Sequence, residues 1–354
     1  MQTCFLFFFQ EGKNTKNLIS PVFISLKRKK QQNKKQQPRR QKTFAGNIGS
    51  GQNSTNNNSF NFDVYSILKP QHKIFTPQTS SFLEWFIGFS EGDGSFFLKE
   101  NKPIFVINQA DLVLLNSIRT ELGFGFVYTF NQSNRTYARY CVQDEKGVEM
   151  LISIFNGNIH LEKVQTRFEN WLNQYNKVYN KSIALKPRRN PSQISLDNAW
   201  ISGFFDAEGG LSASISTSEN MLLGIRLRLK AYVDQQYELP VMQKIANCFN
   251  LNQVTVRDKK NQYYRADMST KKTLISVQKY LNTYKLRSKK KYVFTIWNRL
   301  VDLFGSGQHL SQSRDFLERR VKKLQELNAY FKTTETVCRS LDEDISKGII
   351  NIPD

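Results

Sequence analysis

Residues 86–94 read FIGFSEGDG and residues 201–209 read ISGFFDAEG, and these two stretches share one pattern. Each starts with an apolar residue, has a small residue at its third and seventh positions, and closes with an acid followed by a glycine. The crowded apolar face predicts a helix that packs in the interior. The closing glycines, Gly94 and Gly209, are predicted to end the two helices in a left-handed conformation.

The small residues of each stretch lie four positions apart. They are Gly88 and Gly92 in the first copy, and Gly203 and Ala207 in the second. A spacing of four puts both on one face of a helix, where a missing or minimal side chain lets a second backbone approach closely. We therefore expect the two motif helices to pack on each other along this face.

Such packing brings Asp93 and Glu208 together at the C-terminal ends of the two helices. A carboxylate there faces the negative end of the helix dipole, which is unfavourable by about 0.3–1 kcal/mol. Two carboxylates side by side repel each other further. A bound divalent cation would relieve this repulsion, and hard oxygen ligands suit Mg²⁺.

A similar order of elements surrounds both motifs. A capping box at Ser81 and Glu84 is predicted to start the first motif helix. Alternating patterns then predict strands at 103–109 and 135–142 of the first copy and at 223–233 of the second. Helices are predicted at 111–125 and 162–177 of the first copy and at 239–249 of the second. Phe168-x-x-Trp171 recurs as Phe294-x-x-Trp297. The motif acids lie 115 residues apart and these aromatic pairs 126, so the second copy has about eleven additional residues early in its sheet.

These patterns divide the chain into five segments. Residues 1–75 are predicted to be a basic, low-complexity extension. A first repeat (76–185) follows, then a linker with two prolines and several charges (186–195), a second repeat (196–304) and a helical tail (305–354). The extension is interpreted either as a disordered leader or as a basic arm that contacts phosphates or directs the protein to an organelle. A basic amphipathic helix at 314–331 is expected to dock on the core, with an additional DNA contact as the alternative.

The composition favours a polyanionic partner. The 354 residues carry 51 Lys and Arg against 30 Asp and Glu, a formal net charge of +21. Residues 10–45 account for +10 of this, so the remainder still carries +11. No apolar stretch approaches the roughly 18–20 residues that span a bilayer. The four cysteines and three histidines are scattered, which argues against a zinc site or a disulfide framework and fits a reducing compartment.

The two nonapeptides resemble the LAGLIDADG motif, and the repeat order over roughly residues 76–304 resembles double-motif homing endonucleases. The resemblance implies an α/β (α+β) fold in which two pseudo-symmetric αββαββα repeats form a saddle over double-stranded DNA. It implies Mg²⁺-dependent hydrolysis at Asp93 and Glu208, and a staggered break with 5′-phosphate and 3′-hydroxyl ends. It further implies an intron-encoded protein of a mitochondrion or chloroplast.

The same resemblance implies one glutamine and one lysine per half near the scissile phosphates. Counting back from the helices that follow places Gln109 opposite Gln236 and Lys163 opposite Lys289, while Gln235 and Lys290 fit nearly as well. The sixth motif positions, Glu91 and Asp206, are expected to cap or brace the helix interface instead of binding the metal.

Alternating strands supply candidate DNA contacts. Arg226, Arg228 and Lys230 share one face of a strand, while Leu227 and Leu229 take the other. In the first half, Arg135, Tyr137 and Arg139 repeat the pattern, and Arg265 offers a further contact. A twisted basic ribbon can lie in the major groove, where arginine recognises guanine.

We therefore predict a monomeric, site-specific DNA endonuclease that cuts a long asymmetric target. One alternative is an RNA maturase that assists group I intron splicing and binds its own intron RNA. The other is a DNA-binding regulator that has lost its metal site. Retention of both Asp93 and Glu208 favours the nuclease over the regulator.

Overall fold

The computed structural model describes residues 60–69, 74–132 and 135–329, without the side chains of residues 132 and 135. The first half contains helices α2 to α5 and strands β1 to β4, in the order α2 (Pro77–Asp93), β1 (Gly94–Lys99), β2 (Lys102–Gln109), α3 (Leu112–Leu122), β3 (Phe126–Gln132), β4 (Arg135–Val142), α4 (Glu145–Phe155) and α5 (Glu162–Val178). The second half repeats this order as α6 (Trp200–Glu208), β5 (Gly209–Thr217), β6 (Ile225–Gln236), α7 (Leu239–Cys248), β7 (Thr255–Asp258), β8 (Tyr263–Met268), α8 (Lys271–Thr283) and α9 (Lys290–Ser306). Each half thus has one helix more than the predicted αββαββα order.

Each half forms a four-stranded antiparallel sheet, in the orders β1-β2-β4-β3 and β5-β6-β8-β7. One face of each sheet packs against the helices in a continuous core of buried apolar side chains. The β5–β6 hairpin has strands of 9 and 12 residues, against 6 and 8 for β1–β2. This confirms the additional residues predicted early in the second sheet.

The motif helices α2 and α6 pack on each other through their glycines. A Cβ on Gly88 would overlap the carbonyl oxygen of Trp200, and a Cβ on Gly203 would overlap that of Trp85. A Cβ on Gly92 would likewise overlap the Cβ of Ala207. The predicted close approach along the small-residue face is confirmed.

The predicted ends of these helices are wrong. Helix α2 begins at Pro77, four residues before Ser81, with a capping box between Thr76 and Thr79. At the other end, Gly94 and Gly209 have φ of −86° and −88° with extended ψ, because each helix continues directly into a strand. Neither glycine adopts the left-handed conformation of a helix that stops in a turn.

Glu84, which was assigned to the capping box, has a different partner. Its Oε2 accepts a hydrogen bond from the backbone N–H of Ala199, at 3.0 Å. Ala199 is the N-cap residue of α6, so a side chain of one motif helix satisfies a free backbone donor at the start of the other.

The predicted boundary at residue 75 is also wrong for the residues that the structure describes. Helix α1 (Asp63–Leu68) packs on the first half, with Phe62 and Tyr65 buried. The Nδ2 of Asn158 donates to the carbonyl of Asn61, and the N–H of Asn61 donates back to Oδ1 of Asn158. Residues 1–59 and 70–73 lie outside the described part of the chain.

The tail helix, α10 (residues 314–329), docks on the second half, as expected. Leu317, Val321 and Leu324 are buried. Gln325 and Asn328 donate side-chain hydrogen bonds to backbone carbonyls of β5, which is an edge strand. The helix therefore covers part of an open sheet edge. Residues 330–354 lie outside the described residues, and over the described ranges no helix is long and apolar enough to span a membrane.

Candidate active site and nucleic-acid interface

The two motif acids lie at neighbouring helix ends. Asp93 is the last residue of α2 and Glu208 is the last residue of α6. A Cβ on Gly92, next to Asp93, would lie only 3.6 Å from Oε1 of Glu208. Both acids are half-buried. The glycine contacts along the helices thus bring the two helix ends that carry Asp93 and Glu208 next to each other.

Two carboxylates at one place suit a cation that keeps water or phosphate oxygens as its other ligands. The described residues contain no cluster of three or more His, Cys, Asp or Glu that could enclose a metal. Mg²⁺ in proteins is commonly held by one or two carboxylates together with waters and substrate phosphates. The donor set at Asp93 and Glu208 therefore fits Mg²⁺ on a phosphate substrate.

The sixth motif positions brace the helix interface from both sides. The indole Nε1–H of Trp200, on α6, donates to Glu91 of α2 at 2.5 Å. Reciprocally, Nε1–H of Trp85, on α2, donates to Asp206 of α6 at 2.9 Å. Each acid is 2% exposed, so neither is placed to bind a metal shared with solvent or substrate.

Backbone donors complete the surroundings of both bracing acids. Glu91 accepts the N–H groups of His160 and Leu161 at 2.7 and 2.6 Å. Asp206 accepts those of Arg287 and Ser288 at 2.7 and 3.3 Å. Burial raises the pKa of Glu91 to about 8, and the three N–H donors oppose this rise. Each acid therefore joins both motif helices to the segment that starts the closing helix of its own half.

Gln109 lies at the motif acid of its own half. It is the last residue of β2, and its Nε2 donates to Oδ2 of Asp93 at 2.8 Å. The amide thus fixes one carboxylate oxygen of Asp93 in place.

The counterpart of Gln109 in the second half is Gln235, and the alignment with Gln236 is wrong. Gly94 pairs with Ile107, two residues before Gln109, and Gly209 pairs with Val233, two residues before Gln235. The amide of Gln236 points elsewhere, and donates to the carbonyl of Asn261.

The error in counting has a local cause. The segment between Gln235 and the start of α7, where Tyr237 adopts a left-handed φ of 66°, has three residues, one more residue than the two between Gln109 and the start of α3. Counting back from α7 crosses this residue and therefore shifts the alignment by one position. A tyrosine gives no sequence signal for positive φ, since glycine and asparagine are the usual residues there.

Gln235 is 3% exposed and has one amide atom without a partner. Its Oε1 accepts from the ammonium of Lys163 at 3.3 Å and from the N–H of Gln236 at 3.0 Å. Its Nε2 is buried and finds no hydrogen-bond acceptor among the described residues. An unpaired buried donor is costly, so this atom is suited to an oxygen of a bound phosphate or water.

The lysines reach across the interface between the halves. Nζ of Lys163, in the first half, contacts Gln235 of the second, whereas Nζ of Lys289 lies 3.4 Å from the carbonyl of Ala110, which follows Gln109. Lys290 stays within its own half, with Nζ at 3.0 Å from the carbonyl of Ala207. Each glutamine end of a central strand therefore has a lysine of the opposite half beside it.

Known proteins resemble both halves of this chain. The family model described as LAGLIDADG endonuclease matches residues 86–175 and 201–301, which cover both motifs and both sheets. The chain belongs to the LAGLIDADG endonuclease family.

Relatives within this family are named for introns. A probable intron-encoded endonuclease 4 of Neurospora crassa is 34% identical over 67% of this chain, and the chain spans only 43% of that protein. The intron-encoded DNA endonuclease aI3 of Saccharomyces cerevisiae is 27% identical over 62% of the chain and 63% of its own length. The intron-encoded RNA maturase bI4 of the same yeast is 31% identical, over 48% of the chain and 25% of its own length.

Solved structures of two meganucleases share the fold. The LAGLIDADG meganuclease I-AabMI bound to uncleaved DNA has a TM-score of 0.52 and 19% identity, over 69% of this chain and 97% of that one. I-SmaMI, bound to an uncleaved DNA target in the presence of calcium ions, has a TM-score of 0.53 and 15% identity over the same shares. At these identities the similarity establishes the fold, with its two repeat-like halves.

In this LAGLIDADG protein, the outer face of the second sheet is basic. Side chains of β6 alternate as predicted, with Leu227 and Leu229 in the core and Arg226, Arg228 and Lys230 on the outer face. Lys230 pairs with Asp267 at 2.7 Å. The side chains of Arg226 and Arg228 are exposed, and neither forms a hydrogen bond or ion pair with any described residue.

The outer face of the first sheet differs from this prediction. Tyr137 and Arg139 are 1% and 3% exposed. Nε of Arg139 donates to Oδ1 of Asn108 at 2.6 Å, and its Nη1 donates to the hydroxyl of Tyr128 at 3.0 Å. These two side chains therefore hold strands together, and their burial does not support direct DNA contact. The side chain of Arg135 lies outside the described residues.

Proposed function

We propose that this chain is a Mg²⁺-dependent endonuclease that hydrolyses both strands of double-stranded DNA at one long, asymmetric site. The observation that carries the proposal is the pair of half-buried acids at neighbouring helix ends. A glutamine from a central strand and a lysine of the opposite half stand beside each of these ends.

Asp93 and Glu208 are the residues that would hold the metal. Bound there, Mg²⁺ supplies an activated water and stabilises negative charge on the leaving oxygen. The fit rests on two oxygen-donor side chains at neighbouring helix ends. It also rests on the buried amide donor of Gln235, at the position that matches Gln109, which has no acceptor among the described residues.

The protein's own groups have separate tasks at each phosphate. Gln109 fixes the orientation of Asp93 through a hydrogen bond to one of its oxygens. Lys163 and Lys289 place a positive charge beside each glutamine end, where charge on a phosphoryl group is stabilised by a fixed donor. Lys290 lies against the last turn of α6 and is a further candidate for the same task in the second half.

The DNA surface of the second half has the dimensions of one helical turn. Strand β6 spans Ile225–Gln236, and at roughly 3.3 Å per residue its length is about 36 Å, close to one turn of duplex DNA. Arg226, Arg228 and Lys230 line its outer face. We therefore assign about ten base pairs to the half-site bound by this repeat.

The genetic setting is part of the same proposal. Similar proteins are named as intron-encoded, and one of them, in Schizosaccharomyces pombe, is named for intron 2 of cox1. An intron of a mitochondrial gene is thus the setting we propose, and the intronless junction of its host gene is the proposed target.

An RNA maturase is the second candidate, because one similar protein carries that name. A maturase would bind its own intron RNA and accelerate splicing without any need for Asp93 and Glu208. The two functions therefore differ in whether the activity requires Asp93 and Glu208.

The test of the function starts with selection of a randomised duplex library by the purified full chain in EDTA. Recovered sequences are cloned into a plasmid and incubated with the protein in Mg²⁺. We expect linear plasmid with both ends mapping to one position, and none in EDTA. Plasmids that are bound but never cut, together with faster splicing of the intron RNA, would instead establish the maturase function.

A further inference from the structure

Arg265 is held rigidly on the outer face of the second sheet. It lies on β8 directly opposite Asp234 of β6, and it donates two hydrogen bonds of 2.6 Å each, from Nε to Oδ1 and from Nη2 to Oδ2. The centre of its guanidinium lies 3.9 Å from the ring centroid of Tyr232. Asp234 also accepts a bond of 2.9 Å from Nη1 of Arg257. The side chain is therefore fixed from its side by a carboxylate and from one face by an aromatic ring.

This arrangement leaves one edge of the guanidinium open. A guanidinium has five N–H donors, and Asp234 takes Nε–H and one donor on Nη2. The Nη1 and Nη2 edge retains two parallel donors, and Nη1 forms no hydrogen bond with a described residue. The side chain is 17% exposed. Two parallel donors match the O6 and N7 acceptors that guanine presents in the major groove.

The surroundings favour a base over a phosphate as the partner. Strands β6 and β8 are the two inner strands of the sheet, so Arg265 lies away from the edges. Asp234 pairs with both Arg265 and Arg257, so the three side chains keep one net positive charge, but the carboxylate beside Arg265 adds a repulsion for an approaching phosphate. The neutral edge of a base meets the same directional donors without that repulsion.

The first half contains the matching side-chain pair, but the donor edge of its arginine is occupied. Asn108 pairs with Arg139 in the first sheet as Asp234 pairs with Arg265 in the second. Asn108 and Asp234 each lie one residue before the active-site glutamine of their half. Arg139 binds Asn108 through Nε, but its Nη1 is taken by Tyr128 and the residue is buried. The open donor edge is therefore a property of the second half alone.

We propose that Arg265, oriented by Asp234 and Tyr232, reads one guanine in the half-site bound by the second repeat, close to the central step where the strands are cut. The proposal rests on the DNA-cleaving function proposed above. Arg265 and Asp234 are then specificity-determining residues, separate from the groups that act on the phosphates.

The experiment measures binding of the full chain, in EDTA, to its selected duplex and to every single-base-pair variant of that duplex. We expect one guanine position near the centre whose substitution weakens binding by roughly 5- to 150-fold. Arg265→Lys keeps the charge but loses the planar fork, so it should flatten the preference at that position alone. Asp234→Asn should also weaken the preference while raising affinity for all sequences, since a negative charge is removed.

Two control variants separate base contact from other effects. Arg139→Lys alters the closed counterpart and should leave the preference at the guanine position unchanged. Arg228→Ala should weaken binding to all duplexes similarly and lower the slope of log affinity against log salt by about one. Thermal unfolding of each variant reports whether it is folded, and Asp234→Asn provides the test if Arg265→Lys does not fold.

Uniform weakening by Arg265→Lys across all duplexes would mean a phosphate contact and would overturn the inference. A changed preference at a position that is not guanine would overturn it as well. Failure of the wild-type protein to enrich any sequence would refute the proposed function, and the inference with it. Enrichment with an unaltered guanine position in both variants would refute the inference alone.

Discussion

Two acidic residues lie two positions apart in each motif, and they have different surroundings. A step of two residues turns a helix by about 200°, so the two acids point to opposite sides. Glu91 and Asp206 face the partner helix and are surrounded by N–H donors, whereas Asp93 and Glu208 are the half-buried last residues of their helices. The resemblance to the LAGLIDADG motif implied that Glu91 and Asp206 brace the interface. Trp85 and Trp200, which donate to these acids, lie three residues before Gly88 and Gly203, and no sequence pattern predicted their role.

The fold opposes the protonation of the His160 side chain. Its ring packs edge-on against Trp200, with centroids 4.8 Å apart, and against Phe60. Burial, and then the charges of Arg189 and Arg188, hold the pKa of His160 well below its ordinary value of 6.5. The unfolded chain therefore binds a proton below pH 6.5 that the folded chain excludes.

This difference predicts a pH dependence of stability with a definite sign. Because the folded pKa is lowered, His160 leaves the free energy of unfolding unaffected above pH 6.5 and reduces it as the pH falls below that value, by up to about 1.4 kcal/mol per pH unit. His160→Phe removes the group and should flatten this part of the curve. Urea unfolding of both proteins between pH 5 and 8 measures the difference. Parallel curves over this range would show that the folded protein takes up the proton.

At the scale of elements, periodic segments were predictable and their junctions were not. Spacing of Leu115, Ile118 and Leu122 located α3, and alternation along β6 located its two faces. The ends of α2 and α6 were mispredicted because the chain passes from helix to strand without a turn at Gly94 and Gly209. One additional residue between Gln235 and α7 shifted the second glutamine by one, since positive φ at Tyr237 leaves no mark in the sequence.

The helix interface predicts opposite effects for two kinds of glycine substitution. A Cβ at Gly88 or Gly203 would overlap a backbone oxygen that cannot move aside, so Gly88→Ala and Gly203→Ala should each lower the free energy of unfolding by more than about 1–3 kcal/mol. Gly305, inside α9, has only Ile275 nearby, at 3.4 Å from a Cβ. Gly305→Ala is therefore the matched control, and it should be neutral or stabilise by up to about 1 kcal/mol.

Chemical denaturation of the three variants beside the wild-type protein measures these differences. A Gly203→Ala protein as stable as the Gly305→Ala protein would mean that the motif helices do not approach as closely as described.

At the scale of the whole molecule, the two halves share a fold and differ in their outer faces. The second sheet presents Arg226, Arg228 and Lys230, whereas the first buries Arg139 and Tyr137. Strand alternation predicted a basic face on both sheets, because a sequence pattern does not show that Asn108 and Tyr128 are close enough to bind Arg139. Unequal faces fit unequal half-sites.

This asymmetry predicts the stoichiometry of the DNA complex. Both motif acids and both lysines that cross the interface come from one chain, so one chain supplies every residue of the proposed active site. We expect sedimentation of the protein with its selected duplex to show one chain per duplex, and the selected sequence to be non-palindromic. Two chains on one duplex, or a palindromic sequence, would contradict this.

The most direct test of the central claim is cleavage by proteins that carry Asp93→Asn or Glu208→Gln. Each change removes a charge from the proposed metal site and preserves size, so double-strand cleavage in Mg²⁺ should fall by more than about 100-fold. Binding to the same duplex should persist or tighten, because the strands that contact DNA are unchanged and phosphate repulsion is lower. Gln236→Ala is the control, since that side chain faces Asn261, and it should cut at the wild-type rate. Near-normal cleavage by Asp93→Asn or Glu208→Gln would contradict the account.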